Sequence, residues 1–333
     1  MVNYKKAFFL TFIAILLVAM FLLYYEIASI KDDKPIDYSS SVRSRTLNNF
    51  VRDLEEFHLR NILTLATHRA LNGMINYMDN ETGEYVTEAD FQGKFYQLLT
   101  NGTIQPYTLS PLYSNITLNA LIANLRTLAQ DELNLNLSLN YSNYKYRVYQ
   151  TDPWQVSVDM LFEYSLVDST MSWENRTLFI TATVPIYGIR DPLFVLNNAP
   201  YTPIIEDTHV ISGTWNISQL IAHINSTNYT ENNNSPSFLM RFSNVTTNSS
   251  YGIESLINPA LMGTTASEVN RTFVDYLYWT YPWDCVPLSQ NLLEVDSISD
   301  VPAYRYFRLD DTHLVRYINS TERLFNTTLM CNS

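Results

Sequence analysis

LNLNLSLNYS (133–142) alternates apolar and polar residues without a break, and that period of two decides the fold class. Successive side chains of a β-strand point to opposite faces, so Leu133, Leu135, Leu137 and Leu139 fall on one face and asparagine or serine on the other. Reading outward, YKYRVYQ (144–150) is aromatic and β-prone. WQVSVDMLFEYSL (154–166) alternates through Trp154, Val156, Val158 and Met160, and TLFITATVPI (177–186) completes the run. Short turns between these stretches predict a four-stranded antiparallel meander with one apolar face.

Ahead of the meander the period lengthens to that of a helix. Leu47, Phe50, Val51, Leu54, Phe57, Ile62, Leu65 and Ala66 follow three- and four-residue steps between Ser41 and Met78, with Arg52, Asp53, Glu55, Glu56 and Arg60 on the other face. This predicts one long amphipathic helix, bent or ended by Gly73 and followed by a turn at DNETGE (79–84). Two shorter helices follow. Glu88–Leu99 is capped by Thr87 with Asp90 three residues on and has Gly102 beyond its end, and Leu118–Gln130 leads into the strands. Helices laid on one face of an antiparallel sheet make the expected class α+β.

The last third is less regular. Residues 187–205 carry three prolines and read as a crossing segment. THVISG (208–213) and SFLMRF (237–242) read as strands flanking a helix, ISQLIAHI, with NSTNYTENNNSPS (225–237) as a polar, mobile loop. YGIESLINPALM reads as a short helix ended by Pro259, FVDYLYWTY (273–281) and YRYFRL (304–309) as strands, and DDTHLVRYI as a final helix capped by Asp310 or Asp311.

Upstream of all this lies AFFLTFIAILLVAMFLLYY, Ala7 to Tyr25, which carries no charge. Its 19 residues span about 28 Å as a helix, close to the ~30 Å hydrocarbon core of a bilayer. Lys5 and Lys6 precede it, and the mixed charges Glu26, Lys31, Asp32, Asp33 and Lys34 follow. The positive-inside rule then puts the N-terminus in the cytoplasm and the bulk of the chain outside the cell, in a single pass. The run is longer than a signal-peptide core, and its exit, YYEIASI, is a poor cleavage site, so a retained anchor is expected. The organisation expected is a cytoplasmic tail (1–6), a transmembrane helix (7–25) and a polar linker (26–41). An extracellular region of helices plus meander (42–200) and a second extracellular α+β region (201–333) follow.

Composition agrees with an exported, folded chain. Of its 333 residues 46% are hydrophobic and 14% aromatic, too many for disorder. Thirty-three acids against 21 bases give a net charge of −12, which disfavours nucleic acid as a partner. Asn-x-Ser/Thr acceptors occur at Asn80, Asn101, Asn115, Asn136, Asn140, Asn175, Asn216, Asn225, Asn228, Asn233, Asn244, Asn248, Asn270, Asn319 and Asn326. Every one lies on the side assigned to the outside, where N-glycosylation occurs. The two cysteines, Cys285 and Cys331, belong to no zinc-type cluster and are candidates for a disulfide in an oxidising compartment.

Few residues suggest chemistry. Of the five histidines, His58 and His68 are ten residues, about 280° of net rotation, apart on one helix and form no i,i+3 or i,i+4 pair. Asp310, Asp311 and His313 form a DDxH cluster that is a weak metal candidate, with helix capping as the competing explanation of the acids. DNETGE resembles a calcium loop only loosely, because its glycine falls at the fifth position. GxSxG, HExxH, Walker A and GxGxxG do not occur, and no cofactor is implied.

The plan of KKAFFLTFI, an apolar helix, an extracellular helix and a β-rich head resembles the type IV pilin-like class. The chain departs from that class at Ala7, where a glycine is usual, and at Phe12, where a glutamate is expected; Pro35 interrupts the stalk. LNNFVRDLEEFHLRNILTLATHRAL, YGIRDPLF, YGIESLIN, FVDYLYW and FRLDDTHLVRYI resemble stretches of uncharacterised archaeal, chiefly methanogen-type, membrane-anchored envelope proteins. That resemblance implies no activity. The function expected is a non-enzymatic envelope or surface protein with a structural or adhesive role, pilus-associated in one form. It is held to the bilayer by Ala7 to Tyr25 and partnered by envelope proteins or its own copies. An extracellular ligand-binding module similar to Cache domains is the alternative, and an envelope hydrolase, which would need a cleft with clustered acids or a Ser/His pair and is testable at Asp310 and His313, is the third reading.

Overall fold

The computed structural model describes residues 38–108, 115–168, 171–208, 215–263, 271–280, 292–295, 302–318 and 327–331. The expected anchor at Ala7 to Tyr25 therefore lies outside the described residues, as do Cys285, Asn270, Asn319, Asn326 and most of THVISG. Among the described residues no helix is long and apolar enough to cross a membrane. The chain divides into two compact units, Met1–Leu54 with Ser169–Met171, and Glu55–Asp168 with Ser172–Ser333.

The first unit contributes helix α1 (Tyr38–Asp53), which begins inside the stretch expected to be linker. Thr46 turns its hydroxyl back to the Val42 carbonyl at 3.2 Å, and Leu47 and Val51 are its buried apolar residues.

The second unit is α+β. After a π-helical turn (Leu54–His58) come α2 (Leu59–Tyr77), a second π-turn (Met78–Thr82), α3 (Glu88–Asn101), a short ribbon of β1 (Thr103–Ile104) with β2 (Tyr107–Thr108), and α4 (Leu118–Leu133). Thr87 caps α3 as expected, accepting from the Asp90 amide at 3.2 Å, and Gly102 ends it with a left-handed φ of 71°.

The π-turn corrects the expected helix. A five-residue turn holds one residue more than an α-turn of like length, so it advances the stripe by about one residue. Leu59, Ile62, Leu63 and Ala66 are buried, whereas Phe57 and Leu65, which even stepping placed on the stripe, are 56% and 53% exposed. The helix also runs past Gly73, and DNETGE is not a loop: the second π-turn carries the helix to Gly83, whose φ of 63° stops it.

Strands β3 (Asn136–Asp152), β4 (Gln155–Val167) and β5 (Ser172–Pro185) form an antiparallel sheet in the order β3-β4-β5. The meander thus has three strands, not four. Leu133 ends α4, but the rest of LNLNLSLNYS from Asn136 and all of YKYRVYQ lie on one 17-residue strand, and a register irregularity between Ser142 and Arg147, with Lys145 at φ 65°, absorbs the break in alternation. The apolar alternation survives as the inner face. Leu137 and Leu139, Val158, Met160, Phe162 and Leu166, and Ile180, Ala182 and Val184 are buried beneath α2 and α4. The Gln92 carboxamide of α3 closes part of the β3 edge, donating to the Val148 carbonyl at 2.7 Å and accepting from the Val148 amide at 3.0 Å.

The remaining chain packs around a second core. It contains α5 (Pro192–Leu196), α6 (Ile217–Ser226), β6 (Tyr229–Glu231), α7 (Phe238–Arg241), β7 (Ile253–Ser255), α8 (Pro259–Met262), α9 (Asp275–Thr280), β8 (Leu292–Val295), a 3-10 turn (Pro302–Tyr304), β9 (Arg308–Asp310), α10 (Asp311–Tyr317) and β10 (Thr327–Cys331). β6 pairs with β7, and β8 lies between β10 and β9, all antiparallel. Asn216 and Gln219 close a capping box on α6.

Three expectations fail here for one reason, that burial overrides local propensity. SFLMRF and FVDYLYWTY supply helices α7 and α9 rather than strands, because both are wrapped by core: Phe238, Phe242, Phe273, Val274, Tyr276 and Tyr278 are buried. YGIESLINPALM splits into strand β7 and helix α8, with Pro259 starting the helix at its first position and the Asn258 side chain capping the Ala260 amide at 2.9 Å. The polar stretch 225–237 is packed as well, holding β6 and the buried Thr230, Asn232 and Ser235. Side chains tie this core to the sheet: Trp154 donates to Glu231 at 2.8 Å, and the Leu239 amide donates to Gln150 at 2.8 Å.

Candidate functional site

The DDxH cluster does assemble, but only in part. Asp310 is the N-cap of α10; it accepts from the His313 amide at 3.0 Å and from the Thr272 hydroxyl at 3.0 Å. The His313 ring sits over it, with Nδ1 2.8 Å from both Asp310 oxygens. Asp311 begins the helix, half-exposed, and does not join them. Among the described residues no trio of His, Cys, Asp and Glu is gathered as a metal site requires.

What joins Asp310 and His313 instead is Glu254, from β7. Its carboxylate lies 3.4 Å from His313 Nε2, accepts from Arg316 Nε at 2.7 Å and from the Tyr317 hydroxyl at 2.5 Å, and takes a further bond from the Asn232 carboxamide. Glu254 and Asp310 are 0% exposed, and His313 only 4%. Two carboxylates against an imidazole and a guanidinium balance when the ring is protonated, and the geometry favours that form. Burial opposes the charge on His313, but hydrogen bonds to Asp310 and Glu254 outweigh it and lift the ring to about 10. Burial likewise opposes ionised Glu254, yet His313, Arg316 and Tyr317 hold it down to about 2.

A second buried cluster lies in the same unit. The Arg241 guanidinium donates to Asp191 at 2.6 Å, to Asp275 at 2.7 Å and to the Ile253 carbonyl, and all three charged side chains are 0% exposed. Asp191 also accepts from the Tyr229 hydroxyl at 2.7 Å and caps the Leu193 amide at 2.9 Å. Asp275 is less well served. Its Oδ1 has no partner, and burial pushes the carboxyl up to about 6 against the pull of Arg241. The rings of Trp215, His223 and Tyr317 stack alongside Glu254, with centroids 4.3 to 6.0 Å apart, and burial holds His223 neutral by lowering it to about 4.

These clusters are suited to fixing one packing rather than to turning over a substrate. An acid–base relay needs a reactive group beyond the imidazole and a path for substrate. Here Nε2 meets a carboxylate and, at 3.4 Å, the Tyr276 hydroxyl, in a sealed interior.

The polar face of the sheet offers the accessible alternative. Ser138 and Asn140 on β3, Glu163, Tyr164 and Ser165 on β4, and Asn175 and Thr177 on β5 line an open groove of about 270 Å³. Farther along this face, Asp159 is buried beneath Arg147, Tyr149 and Thr181, which donate to it at 3.1, 3.1 and 2.7 Å.

Sequons share one property. Every acceptor asparagine among the described residues is exposed, apart from the half-buried Asn228. The two buried asparagines, Asn232 at 5% and Asn258 at 4% exposure, are not acceptors: Asn232 has no hydroxyl two residues on, and Asn258 precedes proline. Cys331 ends strand β10.

The sequence contained little to announce Glu254, Arg241, Asp191 and Asp275. They come from four separate elements, and the only local signal was an acidic or basic residue inside an apolar run, as in GIESLI and FLMRF. Comparisons with protein-family models, with curated proteins and with solved structures return no match.

Proposed function

We infer that this chain is a single-pass envelope protein, anchored in the cell membrane by Ala7 to Tyr25 with its N-terminus in the cytoplasm. Its extracellular part is non-enzymatic and has a structural or adhesive role. The observation that carries the reading is the partition of asparagines among the described residues, with acceptors at the surface or half-buried and the two buried asparagines in no acceptor sequence. A chain that receives N-glycans must keep its acceptors off its core, and among the described residues none of them is buried. The acidic surface and the resemblance to archaeal envelope proteins support the same setting, and a pilus-associated form is consistent with its plan.

Ligand sensing in the Cache manner has less support. The interior of the second core, where a ligand would sit, is filled by the Trp215, His223 and Tyr317 stack and by the two charge clusters. An envelope hydrolase built on Asp310 and His313 is weaker still, because both residues are sealed.

Crosslinking on intact cells tests the interaction role. The reading expects the chain to be captured with another envelope protein or with a second copy of itself. A strictly monomeric chain that crosslinks to nothing in the envelope would overturn it.

A further inference from the structure

The groove on the polar face of the sheet is lined by two acceptor asparagines, Asn140 and Asn175, and by Thr177, the hydroxyl residue of the second sequon. Asn140, Glu163 and Thr177 also stand in one cross-strand row, since Asn140 pairs with Glu163 and Glu163 with Thr177. Neighbouring strands are about 4.8 Å apart, so the Glu163 carboxylate lies one strand's width from each. It is exposed and engaged by no described neighbour. The next row holds Ser138 opposite Ser165, whose hydroxyl accepts from the Asn175 amide at 3.1 Å. Phe179, 51% exposed, shows its ring on this same face two residues beyond Thr177.

A carboxylate acceptor, small hydroxyls and one exposed aromatic ring are the groups that bind a sugar: hydrogen bonds for its hydroxyls and an apolar surface for its C–H face. At about 270 Å³ the groove is smaller than the ~300–1,000 Å³ clefts that enclose drug-sized ligands, so it suits a single ring rather than a chain of them. We propose that it is the seat of the chain's own glycan, and that the first sugar attached to Asn140 lies in it against Glu163. Asn140 is favoured over Asn175 by the backbone. It sits in the regular part of the ladder, whereas Asn175 has a φ of 52° next to the irregularity between Tyr164 and Leu166. The seated sugar covers the polar face of the meander and shields strands β3 to β5. This inference rests on the glycosylated-envelope reading above.

The test is site-resolved deglycosylation of the native full chain made in a secretory host that adds high-mannose glycans. Cleavage by endoglycosidase H is followed by glycopeptide mass spectrometry, with exposed Asn101 as the internal reference. A seated first sugar slows cleavage at Asn140 by about tenfold relative to Asn101, the factor one net hydrogen bond supplies. Glu163→Ala, or Glu163→Val if the former folds poorly, restores the reference rate, and Asn175→Gln leaves the protection in place. Equal rates at Asn140 and Asn101, or an empty Asn140 among occupied sites, overturn the seat and leave the glycosylated-envelope reading standing. No occupied sequon at all overturns both.

Discussion

Arg241 carries two buried carboxylates, and its removal leaves both uncompensated. Breaking a buried ion pair from one side costs about 3–5 kcal/mol, so Arg241→Met is expected to lower the urea midpoint by that much stability. The partners are unequal. Asp191 also serves Tyr229 and the start of α5, whereas Asp275 keeps an oxygen without a partner. Asp275→Asn is therefore expected to cost less than Asp191→Asn in the same titration, and a reversed order would contradict this division of labour. His313 supplies a pH signature. Its ordinary value of 6.5 is raised to about 10 on folding, so its contribution is complete below pH 6.5 and is lost as pH climbs through 10. Glu254 works the other way, contributing fully above 4.5 and losing that contribution as pH falls towards 2. The stability gap between the parent protein and His313→Gln is expected to narrow steadily from pH 6.5 to 10 in chemical unfolding. A constant gap would mean that the ring folds uncharged.

Secondary elements were legible where one period ran unbroken, and lost where a turn or the core intervened. Alternation from Leu135 to Leu139 and from Val156 to Leu166 marked strands whose inner face is the face observed. Thr87, Asn216 and Asp310 sit at helix starts that their neighbours announced. The π-turn at Leu54–His58 has no such mark, because LEEFH fits a regular helix equally well and only the exposure of Phe57 beside the burial of Leu59 reveals it. Aromatic FVDYLYW misled for a related reason: β-propensity measures fit to a half-buried pleated surface, and this segment is buried on most sides. At this scale the Gln92 bracket is testable. Gln92→Ala frees the Val148 amide and carbonyl at the strand edge, and loss of two ordinary hydrogen bonds is worth about 1–3 kcal/mol. Hydrogen exchange at Val148 is expected to quicken while that at Val158, on the central strand, changes only with global stability. Gly252 gives a steric counterpart. A Cβ there would lie 2.2 Å from the carbonyl oxygens of Asn232 and Ser235, so Gly252→Ala is expected to cost about 1–3 kcal/mol by thermal or urea unfolding.

Across the described residues, chemistry and exposure are separated. The charged groups with the strongest mutual geometry, around Arg241 and Glu254, are sealed in the second core, while the outward faces carry asparagine, serine and threonine. The sequence showed the outer part of this plainly, through the sequons and the −12 charge. It hid the inner part, because a buried network draws single residues from distant elements and leaves no spacing to read. That separation fits the proposed reading of a scaffold that holds one shape and presents a hydrophilic, acceptor-rich surface outside a membrane. The most direct test is topology in cells that make the full chain: membranes are pelleted and washed, and intact cells are treated with an external protease. The chain is expected to sediment with membranes, to be released only by detergent, and to be cut down from outside to a short N-terminal fragment. A chain recovered in the soluble fraction, or fully protected from the external protease, would contradict it.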